Sequence, residues 1–329
     1  MAVSSKSTSQ QEVLGNKVRQ TIAQEMVVQS EKNIDLLLGL LTFINWSHYH
    51  YHNKPFLAIF AQLAMSLVFE LQLNKPVPKD MEPLPCVRET RWKSPTPRTM
   101  EERRAVLGCF LVTSIISSFI QKIDALRWTP HMDECLQMLD ERKECLNDEI
   151  LVQQVRLQLI VEKMALSALH KATESTEHTR EPPPLYLQNL QSQLQAIKIK
   201  LLAQPDTTEA VVLHLYSLEL ETALSSTFLH TNHLTFQQRK SRNAGLELVK
   251  SWFDVFFTIS PAAYIGFSFS ILSQLVATPL SIYTVPAHNL QRFELGREGC
   301  LEDGGYSPGL RSHYQQSGTS SGSCWIGQW

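Results

Sequence analysis

The chain has 329 residues, 43% of them hydrophobic, with 30 basic side chains against 32 acidic ones and a net charge of −2. That apolar content supports a sizeable core and excludes general disorder. The charge balance excludes a broad nucleic-acid footprint, because neutralising phosphates over a whole surface calls for a basic protein.

The pattern is helical almost from the start, after a flexible N-terminus at 1–10. Leu14, Val18, Ile22 and Met26 recur every four residues and give a first helix one apolar face. Ile34, Leu37, Leu38, Leu41 and Ile44 do the same for a second. A third, Pro55–Leu73, is apolar on most sides and is expected at the centre, its proline tolerated in the first turn. Pro76, Pro78, Pro83, Pro85, Pro95 and Pro97 then break any helix over 74–98, which reads as a long connector.

Thr99-Met100-Glu101-Glu102 reads as a capping box opening a helix to about Ile120. Val106, Leu107, Phe110, Ile115 and Phe119 are its expected buried face. Gly108 lowers helix propensity there, so close approach of another helix is expected at that point. Thr129-Pro130 is a second start signal, an N-cap followed by a first-turn proline. Val152, Val155, Leu159, Glu162 and Leu166 mark a long helix over 148–170, followed by a polar, proline-ended linker at 173–184. Helices are expected over 185–203, 207–230, 243–259 and 267–284. Eight of the thirteen glycines fall between Gly296 and Gly327 with no apolar period around them, so a disordered tail is expected at 286–329. The fold class is all-α, with one multi-helix domain over 11–285.

Candidate chemistry is sparse. The segment Trp252–Tyr283 is the one stretch that suggests a membrane span. Asp254, Pro261, Ser268, Ser270, Gln274 and Pro279 interrupt it, and a pair of buried helices is expected instead. Cys86, Cys109, Cys135, Cys145, Cys300 and Cys324 form no CxxC pair and no apolar signal core opens the chain, so reduced thiols are expected, with Cys109 and Cys135 in the core. His48 and His52 share a helix face, but Tyr49 stands where a hydrolytic zinc helix carries glutamate, and no third ligand is apparent. Asp133 and Glu134 belong to a helix start, and Asp140 with Glu141 to a solvated face. Ser114, Ser117 and Ser118 lack a GxSxG turn, and there is no glycine-rich phosphate loop. Gln238-Arg239-Lys240-Ser241-Arg242 reads as an exposed interhelical turn, with phosphate contact or nuclear import as the functional alternative. No catalytic, cofactor-binding or metal-ligating residue is assigned.

Several runs, in order, carry a resemblance. They are Trp46-x-His48-Tyr49; Leu73-Asn74-Lys75-Pro76; Glu102-Arg103-Arg104 through Gly108; Leu126-Arg127-Trp128-Thr129-Pro130; Val155-Arg156-Leu157-Gln158-Leu159-Ile160; and Trp252-Phe253. From about Val13 to Val285 the chain resembles the helical regulatory region of fungal zinc-cluster transcription factors. The resemblance implies a nuclear helical domain that modulates transcription through protein partners, self-association or a small-molecule effector, while a separate zinc cluster reads DNA. It implies Trp46 and Trp128 as core anchors and Arg103, Arg104 and Arg127 as buried or semi-buried ion-pair donors. As a core anchor, Trp128 truncated to alanine is expected to cost about 3–5 kcal/mol. No cysteine-rich basic module lies among these residues, so direct DNA binding is not expected of this chain alone. Beyond Val285 the resemblance stops, and the tail ending Cys324-Trp325-Ile326-Gly327-Gln328-Trp329 reads as read-through or a shifted frame. The alternative function is a non-DNA-binding helical interaction or dimerisation module, or a truncated gene product.

Overall fold

The computed structural model describes residues 7–46, 56–77, 97–173, 184–204, 207–228 and 236–283. These are helical, with no strand among the described residues. Ten α-helices follow one another: α1 Thr8–Ile22, α2 Ile34–Trp46, α3 Leu57–Glu70, α4 Met100–Ile120, α5 Pro130–Arg142, α6 Leu146–Thr173, α7 Pro184–Ala203, α8 Glu209–Phe228, α9 Phe236–Phe256 and α10 Phe269–Tyr283. A π-helical segment, Ala23–Val28, continues α1, and a 3-10 turn, Pro261–Gly266, joins α9 to α10. The chain divides into two units, Met1–Ile282 and Tyr283–Trp329; the second lies outside the described residues except for Tyr283.

Helix α4 is the hub, packing against α2, α3, α5 and α6. Its capping box forms as the sequence dictates. Thr99 Oγ1 accepts from the Glu102 amide at 3.1 Å, and Glu102 Oε2 accepts from the Thr99 amide at 2.9 Å. Among the described residues α4 is the one helix long and apolar enough to cross a membrane; 56% of that stretch is buried against its neighbours, as in a core helix. Gly108 does face α2, but a Cβ there would meet Leu41 Cδ1 at 4.0 Å, ordinary van der Waals contact. The close approach expected from the glycine is therefore loose enough for a methyl group. Gly108→Ala is expected to stabilise the protein by about 0.5–1 kcal/mol, read as a higher urea midpoint, because it narrows the unfolded ensemble without a clash. A lower midpoint would show that the neighbouring helix cannot yield.

Thr129 and Pro130 open α5, but the threonine hydroxyl does not cap it. It donates to the Asn74 carbonyl at 2.8 Å, while Arg98 donates to the Gln72 carbonyl at 2.6 Å. The Leu73-Asn74 turn is thus pinned by the residues that precede α4 and α5, with Leu73 fully buried beneath it. Thr113, buried in α4, accepts from the Leu126 amide at 3.1 Å, and Ser117 donates to the Ile123 carbonyl at 2.7 Å. Together they lay the α4–α5 connection back on the core.

The apolar side chains gather in three clusters. The first joins α1 to α5 with Val152 and Val155 of α6; the second joins Leu157, Ile160 and Val161 of α6 to α7 and α8. One helix thus serves two cores from opposite faces. The third cluster places Trp252, 0% exposed, among Leu213, Phe256, Phe267 and Ile271. Its indole stacks on Phe256 at 5.2 Å, and Tyr264 stacks on Phe256 from the 3-10 turn, also at 5.2 Å.

Several expectations are corrected. Phe119 is 41% exposed, although its ring meets Phe269 edge-on at 5.6 Å. Trp46 is half-buried and donates to the Gly266 carbonyl at 3.1 Å. Trp128 is likewise half-buried, edge-on to Phe110 at 4.7 Å and donating to Asp133 at 3.0 Å, so the full cost of core truncation does not apply to it. Of the three arginines, Arg104 is the ion-pair donor, bound to Asp148 at 2.7 Å and Glu144 at 3.1 Å. Its guanidinium holds the Asp148 carboxyl below the usual carboxylate range. Arg103 instead points at Cys135 Sγ, 3.6 Å away, and Arg127 is exposed. Asp140 is no free surface charge, since it pairs with Arg156 at 2.7 Å. Helix α3 stops at Glu70, before Leu73, where Gln72 takes a left-handed conformation. Helix α9 begins seven residues early, so Gln238–Arg242 lie inside it and not in a turn. Pro55, Leu166, most of the 74–98 connector and of the 173–184 linker, and the 286–329 tail lie outside the residues whose surroundings are described.

Candidate functional site

Four helices carry polar side chains at helical spacing on otherwise apolar surfaces. These are Ser114 and Ser118 on α4, Gln158 and Glu162 on α6, His214, Ser217 and Glu221 on α8, and Ser270, Gln274 and Thr278 on α10. Residues three and four apart share a face of a helix, so each set forms one stripe. The stripes converge on a cavity of about 260 Å³, with Ile115, Phe119, Leu218 and Leu220 supplying apolar wall.

Burial makes the polar groups of this cavity consequential. Gln158 is 1% exposed, and its amide nitrogen donates to Ser114 Oγ at 2.7 Å. Ser114 in turn hydrogen-bonds the Glu162 carboxyl, so a relay runs from the cavity wall to a charge behind it. His214 is 1% exposed, with Nδ1 3.2 Å from the Gln274 amide nitrogen, which also donates to Ser270 Oγ at 3.2 Å. With the amide donating, Nδ1 is an acceptor and the imidazole proton sits on Nε2. Burial lowers the His214 pKa to about 4, opposed by the Gln154 carbonyl, so the ring is neutral at neutral pH. Desolvation pushes the Glu221 carboxyl up, and it pushes Glu162 up too, with Glu221 adding like-charge repulsion. Gln158 Oε1 and Gln274 Oε1 accept no hydrogen bond from the protein. Both oxygens are closed to solvent, so they are buried polar atoms left unmet within the packing beside the cavity.

Other arrangements do less. His131, Glu134 and Cys135 have the connectivity of a thiol–imidazole–carboxylate triad, with Sγ to Nε2 at 3.6 Å and Nδ1 to Glu134 at 3.1 Å. The thiol, however, is 1% exposed and burial pushes its pKa up, the opposite of an activated nucleophile. Cys109 is also buried, its pKa pushed up to about 12. His48 and His52 lie outside the described residues, among which no group of three potential ligands surrounds a metal position. A larger cleft of about 600 Å³ lies between α7, α8 and α9. Two of its charges pair with each other, Lys198 with Glu219 at 2.7 Å, and Lys198 also lies over the Tyr216 ring at 5.5 Å.

The polar stripes were readable one helix at a time, but their convergence was not. Ser114 and Ser118 suggest only failed nucleophiles, and Glu162 only an interruption in an apolar face. His214, inside Val211-Val212-Leu213-His214-Leu215, stands out as a lone polar residue in an apolar run, which is the signal that points to a buried site.

Comparison with known proteins finds similarity to named fungal transcription factors. It is 35% identical over 285 residues to the transcription factor opdL of Penicillium oxalicum, covering 83% of this chain and 50% of the relative. It is 28% identical over 279 residues to a transcription factor of Aspergillus terreus, covering 80% of this chain and 39% of the relative. The transcription factor himD of Aspergillus japonicus matches over 179 residues at 30% identity, covering 52% of this chain and 27% of the relative. The chain therefore spans half the length, or less, of the curated relatives it matches. No family model matches the sequence, and no solved structure matches it significantly. Over most of its length this all-α chain is thus similar to part of proteins named as fungal transcription factors.

Proposed function

We propose that the chain is the helical regulatory part of a fungal transcription regulator of the zinc-cluster kind. It controls a metabolic or biosynthetic gene set in the nucleus through protein partners and through a small molecule received in the α4–α6–α8–α10 cavity. The observation that carries the reading is the alignment with named transcription factors over most of the chain. The cavity supports the effector part, because side chains of four helices, apolar and polar together, line a space of about 260 Å³. The net charge of −2 supports action through partners and not through phosphate contacts.

The test is a reporter in fungal cells, with the chain fused to an unrelated DNA-binding module. The fusion is expected to change reporter output relative to the module alone. Filling the cavity with Ala277→Phe is expected to alter that output while leaving the fusion's abundance unchanged. The purified chain by itself is expected to show no salt-dependent DNA binding. Reporter output that ignores the chain would end the regulatory reading, and output indifferent to Ala277→Phe would end the effector part of it.

A further inference from the structure

Helix α10 is held firmly at its start and lightly at its end. Phe269 belongs to the first core and Ile271 to the third, as does Phe267 just ahead of the helix, and all three are buried. Leu272 and Leu275 add partial burial against the third core. Beyond Leu275 the pattern inverts. Val276 is 50% and Leu280 57% exposed, while Thr278, 1% exposed, lines the cavity beside Ala277. An ordinary surface helix turns its apolar stripe inward, so this end gains little from apolar burial. Phe269–Tyr283 carries no charged residue, so no ion pair fastens it either. Pro279 lies inside the helix without an N–H to give, which leaves the Leu275 carbonyl, four residues earlier, without its helical partner. The other walls are braced, α4 on α6 and α6 on α8. Among the described residues no helix packs along α10 as α9 packs along α8.

Resting on the effector reading above, we propose that the end of α10 from Val276 is a lid over the cavity, hinged at the Leu275–Pro279 turn, that lifts to admit the effector and settles on it. The hinge falls where one helical hydrogen bond is already missing, and kinks form most easily at such a place. The contacts of Gln274 with His214 and Ser270, both at 3.2 Å, lie on the held side of the hinge, so the lid moves without breaking them. A ligand beneath the lid favours the closed state by as much as it binds that state better than the open one.

Thiol labelling of the purified full chain tests the lid without any ligand. Thr278→Cys puts a thiol on the lid's inner face, Ser273→Cys puts one on the held half, and the native Cys109, 0% exposed in α4, reports opening of the whole core. Each variant is checked by circular dichroism, and iodoacetamide modification is read site by site by mass spectrometry, relative to the same thiol in urea. Position 278 is expected to label at least about tenfold faster than Cys109, with position 273 as slow as Cys109. Pro279→Ala, which restores the missing hydrogen bond, is expected to slow labelling at 278 by about tenfold. Hydrogen exchange on the unaltered chain reads the same step, with the amides beyond Leu275 exchanging ahead of those from Ser270 to Leu275. Labelling at 278 no faster than at Cys109 would overturn the lid. Equal labelling at 273 and 278, or no response to Pro279→Ala, would overturn the hinge. The effector reading is judged separately, by the Ala277→Phe reporter result.

Discussion

Trp252→Ala is expected to destabilise the protein by about 3–5 kcal/mol, the range for emptying a large aromatic from a closed core. Trp252 is the largest fully buried side chain among the described residues, and three elements close on it. Leu213 comes from α8, Phe256 from its own helix, Phe267 from the segment leading into α10 and Ile271 from α10 itself. The aromatic contacts continue outward to Phe253 at 5.2 Å edge-on and through Phe256 to Phe267 at 5.8 Å, so no neighbour is loose enough to refill the space. The indole nitrogen is a different matter. Trp252 Nε1 is buried and has no hydrogen-bond partner. Trp252→Phe therefore removes an unmet donor along with one ring, and its cost is expected to stay below about 2 kcal/mol. Urea denaturation followed by circular dichroism reads both. Equal losses for the two variants would mean that the nitrogen, and not the packing, holds the cluster.

The second large effect is a pH dependence owed to His214. Its folded pKa of about 4 lies below the ordinary 6.5, so the unfolded chain takes up the proton first as pH falls. Folding stability is therefore lost progressively between pH 6.5 and 4 and levels off below that. A gap of about 2.5 units at 1.36 kcal/mol each amounts to about 3 kcal/mol. Glu162 and Glu221 work the other way. Their raised pKa values let the folded state bind protons before the unfolded one, which adds stability as pH falls toward the ordinary 4.5. The wild-type profile is thus flatter than His214 alone would make it. The quantity to measure is the difference in stability between wild type and His214→Gln across that range. A difference that does not change with pH would show that the ring is solvated and the cavity open to bulk water.

What was legible in the sequence was local. The Thr99–Glu102 capping box and the Thr129-Pro130 start need only neighbouring residues, and both helices begin there. The misplaced start of α9 failed for an equally local reason: the polar run Gln238–Arg242 hid its first turns. Asn33, whose side chain accepts from the Leu36 amide at 2.8 Å, caps α2, which begins where the sequence places it. Tryptophan roles could not be ranked from sequence, because closure around Trp252 depends on a chain reversal at Pro261–Gly266 that no spacing announces. The cavity was least legible of all. Its polar side chains come from four helices spread over more than a hundred residues of chain, and each stripe alone looks like ordinary helix surface.

The pinned turn at Leu73-Asn74 has a consequence for how such a domain changes over generations. Arg98 grips the Gln72 carbonyl and Thr129 the Asn74 carbonyl, so the chain leaves the helical body and returns to it at one place. The Arg98–Gln72 hydrogen bond holds the described ends of the connector together. Closing such a connector costs entropy that grows only with the logarithm of its length, about 0.6 kcal/mol for each doubling. With Gln72 and Arg98 held together, changes in the length of the connector are expected to cost the helices little.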